Sequence, residues 1–478
     1  MAAMPPLIAE NWKSPQGTLT GTARDAIILA SIVLLAALLG ILTRPMDLLA
    51  LFWPVNAILL GVMVRRPGYA TALGWTGAVA GYLAADLLTG GTLVKTLWLT
   101  GANLAGVFAG SLLYRFVSTG HQRLREPQSV IILLVICSLA ALASALVGGV
   151  AAGFSLGQTY FSGFWFWLVT ELVNFIVILP VMLTAPSFGK WHVKLAPIDL
   201  KAISWSRRAP PVAALALSML ASSLIGGPGA FAFPVPALLW CATTFPLFPT
   251  ALLTMIFSVW GMMTFSTGAP ESVDPLLWMQ SIRLGLGMIA MAPLSVASVT
   301  TTRNGLLQRL QYSVDHDFLT RALARGTFMA RSESIMSQDG TVDGSAVLVL
   351  DIDHFKSVND QHGHAVGDSA LIAFSSAVAS TLRKDDLFGR TGGEEFCVVL
   401  PGASATAAKM VAERIRQAVE RLQIEAADGT TLSITVSGGL AVCSGDRKLS
   451  FDDMLTRADM ALYQAKAEGR NRIVTDAS

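Results

Sequence analysis

The chain has 478 residues, of which 53% are hydrophobic and 14% charged, and its mean hydropathy of +0.57 excludes a wholly soluble globular protein. Residues 1–300 carry 15 basic and 9 acidic side chains, a net charge of +6, whereas residues 301–478 carry 19 and 23, a net charge of −4. The acidic second part argues against nucleic-acid binding.

The N-terminal segment introduces a series of apolar stretches. The first 24 residues lack a basic region running into a short apolar stretch with a cleavage site, so we expect the first span to be retained. A helix needs roughly 20 apolar residues to cross a bilayer. Ten candidate spans follow, at 25–43, 48–64, 69–89, 94–116, 129–152, 160–184, 211–226, 230–245, 248–266 and 276–299. The eighth is short and proline-rich; if it forms a re-entrant hairpin with the ninth, eight spans remain.

The loops between these spans differ in basic residues, which accumulate on the cytoplasmic side of membrane proteins. With the N-terminus inside, the cytoplasmic segments hold Lys13, Arg24, Arg65, Arg66, Arg115, Arg123, Arg125, Lys190, Lys194, Lys201, Arg207 and Arg208. The opposite loops hold little more than Arg44 and Lys95. This asymmetry predicts that both termini lie in the cytoplasm.

Polar side chains also lie inside the predicted spans, and an ionisable group there costs several kcal/mol unless it is paired or hydrated. They are Asp86, Asn103, Glu171, Asn174 and Arg283. Each is either a structural contact between helices or part of a functional site. Asp86 and Glu171 are the first candidates for a sensing role.

The four cysteines, Cys137, Cys241, Cys397 and Cys443, lie far apart and form neither a CxxC motif nor a His/Cys cluster. This argues against a zinc site or a disulfide framework and fits a reducing compartment.

After the last span, Leu307, Leu310 and Val314 follow one another at helical spacing. This stripe either packs on its own domain or forms a short dimeric coiled coil. We expect a signalling and dimerisation helix over 300–316, between a membrane domain over 1–299 and a soluble domain over 317–478.

The soluble part alternates strand and helix patterns. Strands are predicted in AVLVLDID, LFGRTGGEEFCVVLP and TLSITVSGGLAVC, and helices in GDSALIAFSSAVASTLRKDD, SATAAKMVAERIRQAVERLQ and FDDMLTRADMALYQAKAEG. Two βα units around a central hairpin predict a ferredoxin-like or nucleotidyl-cyclase α/β sheet. The tip of the hairpin, Gly392-Gly393, suits the positive φ of a tight turn.

Carboxylates are predicted to meet at the end of the first of these strands. Asp351 ends that strand, and the hairpin carries Glu394 and Glu395. Oxygen ligands from two elements suit Mg²⁺, and two such ions suit attack of a hydroxyl on a phosphate. Gly393 would let a phosphate approach the backbone. An exposed acidic turn is the plainer alternative.

Three motifs in order, DIDHFKSVNDQHGHAVGD, GGEEF and ADMALYQAKAEGRNRI, resemble the GGDEF-family diguanylate cyclases over about residues 313–475. The resemblance implies that Asp351, the Ile352 carbonyl and Glu394 hold two Mg²⁺ ions, with Mn²⁺ as an alternative. It also implies that Glu394, with Glu395 beside it, assists deprotonation of the attacking 3′-hydroxyl.

The same resemblance implies a GTP site. Asn359 and Asp368 would bind the guanine edge, with His364 in the same loop, and the backbone at His354 and Phe355 would bind the terminal phosphates. Asn and Asp can match guanine but would leave unmatched groups opposite adenine.

Lys466 and Arg470 would neutralise the phosphates, and their spacing of four predicts one face at a helix end. In the family each of two domains holds one GTP, and each 3′-hydroxyl attacks the α-phosphate of the other. The resemblance therefore implies a homodimer that releases cyclic di-GMP and pyrophosphate.

Arg383 and Asp386, in RKDD, match the family's RxxD motif for inhibition by the product, and Arg414 resembles a supporting arginine more weakly. Bidentate binding of guanine or phosphate by arginine makes such a site chemically reasonable.

The beginning of the domain departs from the family pattern. In DFLTRALARGTF, Arg321 stands where glycine is usual, Ala324 where asparagine is usual, and Gly326 where a second arginine is usual. The metal-binding and base-binding positions match, which favours activity.

The apolar half resembles, less specifically, the MASE-type integral sensors, through FWPVNAILLGVMVRRPG, GYLAADLLTGG and FWFWLVTELVNFIVILPVMLTAP. We therefore expect a diguanylate cyclase in the bacterial inner membrane, with its catalytic domain in the cytoplasm and an unidentified sensor ligand or protein partner. The alternatives are a non-catalytic receptor for cyclic di-GMP or GTP, and a transporter whose path is lined by Asp86, Glu171 and Arg283.

Overall fold

The computed structural model describes residues 22–42, 52–156, 159–186, 205–227, 229–266, 271–337, 344–425, 431–443 and 449–476. The chain divides into two compact units, with the boundary between Gly305 and Leu306. Several predicted loop residues lie outside the described residues, namely Lys13, Arg44, Lys190, Lys194 and Lys201, as do 48–51 of the second predicted span and the side chain of Arg207.

The regular secondary structure in the described residues of the first unit is helical. Its helices are α1 Ala23–Leu42, α2 Val55–Arg65, α3 Ala72–Leu88, α4 Leu93–Tyr114, α5 Thr119–Gln122, α6 Ser129–Leu156, α7 Tyr160–Thr184, α8 Trp205–Ile225, α9 Val235–Thr244, α10 Leu247–Phe265 and α11 Pro275–Asp315. Each of the ten predicted spans overlaps one of them, and α5 is the additional short helix. Seven, namely α1, α4, α6, α7, α8, α10 and α11, are long and apolar enough to cross a membrane.

Small residues allow these helices to approach closely, as is common in membranes. A Cβ added at Gly81 of α3 would lie 2.6 Å from the Ala30 carbonyl oxygen of α1, and one at Gly106 of α4 would lie 2.9 Å from the Ala140 carbonyl oxygen of α6. Helix α7 is the most enclosed of the seven candidate spans, with 67% of its most apolar segment buried. The polar side chains of Glu171 and Asn174 on α7 are buried.

Helix α11 continues without a break beyond the predicted end of the last span at 299, so the predicted continuous helix is confirmed. Leu307, Leu310 and Val314 are 53%, 63% and 72% exposed among the described residues. Pro293 lies inside the helix, where it removes one backbone hydrogen bond.

The second unit is an α/β domain. Its elements are β1 Leu323–Ala324, α12 Arg325–Met336, β2 Ser345–Ile352, α13 Phe355–His362, α14 His364–Thr381, β3 Leu387–Arg390, β4 Glu395–Leu400, α15 Ala405–Glu420, β5 Ile424–Glu425, β6 Thr431–Leu432, β7 Val436–Cys443, α16 Phe451–Ala467 and β8 Ile473–Thr475. Strands β5 and β6 form a separate pair.

The main sheet has the strand order β1-β3-β4-β2-β7-β8. Its four central strands, β3, β4, β2 and β7, are antiparallel to one another, whereas the edge strands β1 and β8 pair parallel with β3 and β7. Helices connect β2 to β3 and β4 to β7. This is the connectivity of a ferredoxin-like core, so the predicted fold is confirmed.

Strand β2 is buried along its whole length because helices cover both faces of the sheet. Leu348 and Leu350 belong to the core formed with α14 and α15, whereas Val347 and Val349 belong to the core formed with α12 and α16. Alternate residues of a strand point to opposite faces, so both faces need apolar side chains. This explains the continuous apolar run that ends at Asp351.

Candidate active site

The end of β2 brings together the groups predicted to bind metal and phosphate. Asp351 pairs in register with Glu395 of β4 on one side and Ser437 of β7 on the other. The side chain of Asp351 is 7% exposed, and its Oδ2 lies 2.8 Å from Nζ of Lys466 on α16. Three strands and one helix therefore meet at this carboxylate.

The GGEEF turn differs from its predicted conformation. Neither Gly392 nor Gly393 is among the described residues that have positive φ, so the predicted tight turn is wrong. Four residues separate β3 from β4, and Thr391 and Gly392 both donate their N–H to the Glu395 carbonyl. This wider turn does not require positive φ. A Cβ at Gly393 would meet nothing within 4 Å, so the turn faces open space there.

Arg390 stabilises the turn through hydrogen bonds to its carbonyl groups, a role that the sequence analysis missed. Its Nη2 donates to the Gly393 carbonyl at 2.6 Å, and its Nε lies 3.2 Å from the Gly392 carbonyl. Its Nη1 donates to Asp317 Oδ1 at 3.0 Å. Although burial raises the pKa of Asp317, hydrogen bonds from Thr320 and Arg390 outweigh it and lower the pKa overall. The guanidinium thus connects the glycine turn to the beginning of the domain.

Glu394 lies at the end of this turn, in a negative environment. Partial burial raises the pKa of Glu394, the Asp351 charge raises it further, and Lys466 acts in the opposite direction. A carboxylate whose pKa is raised accepts a proton more readily, which is a property of a general base. The main chain of Glu394 is fixed by its carbonyl, which accepts from the Ile352 N–H at 3.4 Å.

The donor set fits a hard divalent cation that binds mainly through substrate phosphates. Within the described ranges there is no cluster of three His, Cys, Asp or Glu residues suited to a metal. Asp351, Glu394 and the Ile352 carbonyl instead supply two carboxylates and one carbonyl. Mg²⁺ is commonly held by one or two carboxylates and completes its shell with water and phosphate oxygens.

Asp353, two residues further on, was not singled out from the sequence. Its Oδ1 accepts from Ser437 Oγ at 2.7 Å, and its Oδ2 accepts from Thr435 Oγ1 at 2.8 Å and from the Asn471 N–H at 3.0 Å. It is 5% exposed. Asp353 therefore ties the end of β2 to β7 and to the loop after α16, behind the predicted metal ligands.

The predicted guanine-binding residues come together at the junction of α13 and α14. Gly363, with φ of 81°, makes the bend between the two helices. The Asn359 side chain lies against Gly367, where an added Cβ would approach Asn359 Oδ1 to 1.9 Å. Asp368 follows directly and is exposed, as is His364 at the start of α14. A glycine at 367 therefore makes room for the amide beside the second predicted base-binding residue.

The predicted phosphate-binding backbone lies at the N-terminus of α13. His354 has φ of 55° and precedes the first helical residue, Phe355, whose side chain is buried. The first N–H groups of a helix have no partner within the helix and point outwards, which suits an anion. The eight-residue helix begins four residues after Asp351, directly beyond the end of β2.

Arg470 does not lie where it was predicted. Helix α16 ends at Ala467, Gly469 has φ of 114° and Arg470 has φ of 62°, so Lys466 and Arg470 do not share a helix face. The glycine ends the helix one turn earlier than the spacing implied. Arg470 is exposed in the turn that follows.

A local hydrogen bond links the first and last residues of the RxxD segment, just after α14. Asp386 Oδ2 accepts from the Arg383 N–H at 2.7 Å, which leaves the Arg383 side chain exposed. Arg414, on α15, donates to the Thr381 carbonyl at 2.5 Å. The three predicted residues of the inhibitory site therefore lie along one short stretch of surface.

The three departures from the family pattern lie at the start of the domain. Arg321 has φ of 61°, a conformation that glycine adopts without penalty. Ala324 occupies the N-cap of α12 and provides no side-chain cap. An added Cβ at Gly326 would meet nothing within 4 Å.

In the first unit, Glu171 on α7 and Asp86 on α3 are 2% and 9% exposed. Glu171 accepts a hydrogen bond from Asn56, a fully buried residue that the sequence analysis did not consider. Asn103, which it did consider, belongs to the same network. A single asparagine in the apolar run VNAILL was the available signal.

Comparison with known proteins agrees with these features. The family described as "Diguanylate cyclase, GGDEF domain" matches residues 314–472. The "Probable diguanylate cyclase DgcF" of Escherichia coli O157:H7 is 29% identical over 463 residues, covering 95% of this chain and 94% of the relative. Its counterpart in strain K12 is 35% identical over 276 residues, covering 55% and 85%. The GGDEF domain of DgcB from Caulobacter crescentus in complex with c-di-GMP is 30% identical, with a TM-score of 0.33, covering 35% of this chain and 98% of that one.

Proposed function

The chain belongs to the GGDEF family of diguanylate cyclases, and we propose that it works as a membrane-bound homodimer that condenses two GTP into cyclic di-GMP and two pyrophosphates. The observation that carries the proposal is the convergence of Asp351, Glu394 and Lys466 at the end of β2. We assign residues 1–299 to a sensor of the MASE type, 300–316 to a signalling helix and 317–478 to the cyclase domain.

Within one domain, the residues divide the work on GTP. Asn359 and Asp368 would bind the guanine, and the N–H groups at the start of α13 would bind the terminal phosphates. Glu394, whose pKa burial and Asp351 raise, would accept the proton of the 3′-hydroxyl. Two Mg²⁺ ions, or Mn²⁺, held by Asp351, Glu394 and the Ile352 carbonyl, would supply positive charge to the phosphates.

One domain holds only half of the reacting atoms, so activity requires a second chain. The exposed stripe of Leu307, Leu310 and Val314 supports pairing of two α11 helices as a coiled coil. Replacing Leu310 with Glu should lower both the dimer fraction and the turnover in parallel, with Gln311→Glu as the control beside the stripe. Undiminished turnover of a monomeric Leu310→Glu protein would exclude the dimer mechanism.

The apolar helices and the asymmetry of the arginines support an inner-membrane location with the cyclase domain in the cytoplasm. We propose that the membrane domain regulates the cyclase through α11. By analogy with the family, the product would promote biofilm formation and suppress motility.

The catalytic assignment is tested by Glu394→Gln in the purified full chain with GTP and Mg²⁺. We expect a loss of about 10²- to 10⁴-fold in cyclic di-GMP formation, because the amide cannot accept the proton. Glu333→Gln makes the same chemical change on the exposed side of α12 and should leave the rate unchanged. Full activity of Glu394→Gln would refute the mechanism.

Product inhibition at Arg383 and Asp386, with Arg414 in support, is the second part of the proposal. Replacing Arg383 with Ala should weaken inhibition by cyclic di-GMP without lowering the initial rate, because Arg383 lies outside the predicted GTP site. Lys384→Ala, at the next exposed residue, is the matched control. An unchanged inhibition curve for Arg383→Ala would remove this site from the proposal.

A further inference from the structure

Four helices of the membrane domain contribute to one buried polar network. Asn56 of α2 lies at its centre and donates through Nδ2 to Glu171 Oε2 of α7 at 2.8 Å and to Asn103 Oδ1 of α4 at 3.0 Å. The Tyr82 hydroxyl of α3 donates to Asn56 Oδ1 through a short hydrogen bond. None of the four side chains is more than 4% exposed. Such a network in an apolar bundle marks a candidate site.

The described surroundings of Glu171 offer little stabilisation to an ionised carboxylate. Among the described residues its side chain receives one hydrogen bond, from Asn56, and no ion pair with a cationic side chain. An isolated buried carboxylate is strongly disfavoured, and the group becomes neutral by taking up a proton instead. The described contacts therefore match the protonated acid.

A second arrangement is available next to it. Asn174 lies one helical turn further along α7, is 3% exposed, and its Nδ2 has no hydrogen-bond partner in the described part of the chain. Residues three apart on a helix are neighbours. If the proton leaves the Glu171 carboxyl group for water, the Asn174 amide can supply a second donor to the carboxylate. Glu171 thus has two hydrogen-bonding states.

Other titratable groups on the helices packed around α7 were considered in the same way. They are Arg65 on α2, Tyr82 and Asp86 on α3, Lys95 and Tyr114 on α4, Cys137 on α6 and Arg283 in the part of α11 before residue 300, and α10 carries none. Tyr82 is connected to Glu171 through Asn56, with which both form hydrogen bonds. Arg65 donates to the Met182 carbonyl, eleven residues beyond Glu171 on α7.

The same stretch of α7 contacts α11 directly. Arg283 Nη1 donates to Thr170 Oγ1 at 3.3 Å, and a Cβ added at Gly287 would lie 3.2 Å from Val173 Cγ2. Glu171 lies between these two contact points in the sequence of α7. A change in its hydrogen bonds therefore occurs on the segment that packs against the helix leading to the cyclase.

We propose that Glu171, with Asn56, Tyr82 and Asn103, forms a proton-binding site inside the membrane domain, and that release of the proton alters the packing of α7 on α11 and thereby the cyclase rate. The second half of this inference rests on the proposed regulation of the cyclase by the membrane domain. The first half, the proton site itself, does not.

The test uses the full chain in lipid nanodiscs over a series from about pH 5 to about pH 9. Infrared difference spectra should show the band of a protonated carboxylic acid at neutral pH, which Glu171→Gln abolishes. Asp86→Asn, at the other buried carboxyl group among the described residues of the membrane domain, should retain it. In the same samples the ratio of wild-type to Glu171→Gln cyclase rate should change about fivefold or more across the series, at the lower end of allosteric coupling. Glu271→Gln, the same chemical change at an exposed position, should follow the wild type.

The two measurements separate the two halves of the inference. Absence of the Glu171-dependent band overturns the proton site, whatever the cyclase rate does. A band with a constant rate ratio overturns the coupling, and with it regulation through this site, but leaves the cyclase assignment intact. If Glu171→Gln fails to assemble, Glu171→Asp keeps a carboxyl group and must shift the band; an unshifted band also overturns the assignment.

Discussion

Asp353 in the cyclase domain and Glu171 in the membrane domain are both buried carboxyl groups, 5% and 2% exposed, yet their surroundings differ. Asp353 accepts three hydrogen bonds, from two hydroxyl groups and one main-chain N–H. Among the residues that the structure describes, Glu171 accepts one, from an amide. Three donors satisfy an ionised carboxylate, whereas one donor does not. The number of donors, rather than burial, therefore distinguishes the two carboxyl groups.

The largest expected effect is that of Asp353→Asn. The amide N–H₂ of the new asparagine would face groups that donate hydrogen bonds to Asp353, so at least one buried donor would lose its acceptor. The free energy of unfolding of the cyclase domain should therefore fall by about 2 to 3 kcal/mol. Denaturant unfolding measures this loss. Asp360→Asn, on the exposed side of α13, is the matched control and should change little. A neutral Asp353→Asn would remove the distinction drawn between the two carboxyl groups.

The second effect concerns the charge that supports the glycine turn. Arg390→Lys keeps the positive charge but removes the planar guanidinium, whose N–H groups contact the Gly392 and Gly393 carbonyls. Because the turn would then be less well positioned, turnover should fall about tenfold, while GTP binding changes less. Steady-state rates separate the two parameters. Arg331→Lys alters a similar ion pair, to Asp315 at 3.0 Å, away from the turn. Equal effects of the two changes would show that Arg390 acts only through general stability.

A smaller effect is expected at Arg321. The left-handed backbone at Arg321 costs about 1 to 2 kcal/mol, and glycine would remove this cost. Because glycine also increases the conformational entropy of the unfolded chain, part of the gain is lost. Arg321→Gly should therefore stabilise the domain by about 1 kcal/mol or less. Thermal unfolding of the full chain checks this, with Arg321→Ala expected to bring no gain. Destabilisation by glycine would show that the Arg321 side chain has a stabilising role of its own.

The smallest effect completes the comparison. Glu171→Gln imitates the protonated acid, so at neutral pH it should change the unfolding free energy by less than about 1 kcal/mol, well below the loss for Asp353→Asn. Unfolding of both variants in the same nanodiscs provides the measurement. A loss as large as that of Asp353→Asn would mean that Glu171 is held as an anion.

Periodicity and motif order predicted much of the fold. The ten apolar stretches each correspond to a helix, and the apolar run before Asp351 corresponds to a strand covered on both faces. The stripe at Leu307 and Leu310 correctly indicated a helix continuous with the last span. These features follow from local patterns, which a single sequence displays directly.

The contacts that fix the site were less accessible, because they join residues distant in sequence. Asp353 binds Asn471 across 118 positions and Arg390 binds Asp317 across 73. Asn56 reaches Glu171 across 115. No local pattern marks such pairs. The misplaced Arg470 and the misjudged Gly392 show the same limit, since their conformations depend on where the neighbouring helix or strand ends.

Pro293 affects how easily α11 bends. The helix is 41 residues long, roughly 60 Å by its rise per residue, and is continuous, so it resists compression along its axis. The missing bond at Pro293 lies between the contacts with α7 at 283–287 and the exposed stripe at 307–314, and it softens the helix to bending at that point. Under the proposed regulation of a coiled-coil dimer, a displacement of the first segment would therefore reach the second chiefly as a change in the direction of its axis. Such a change would alter the crossing angle of the two helices more than their separation.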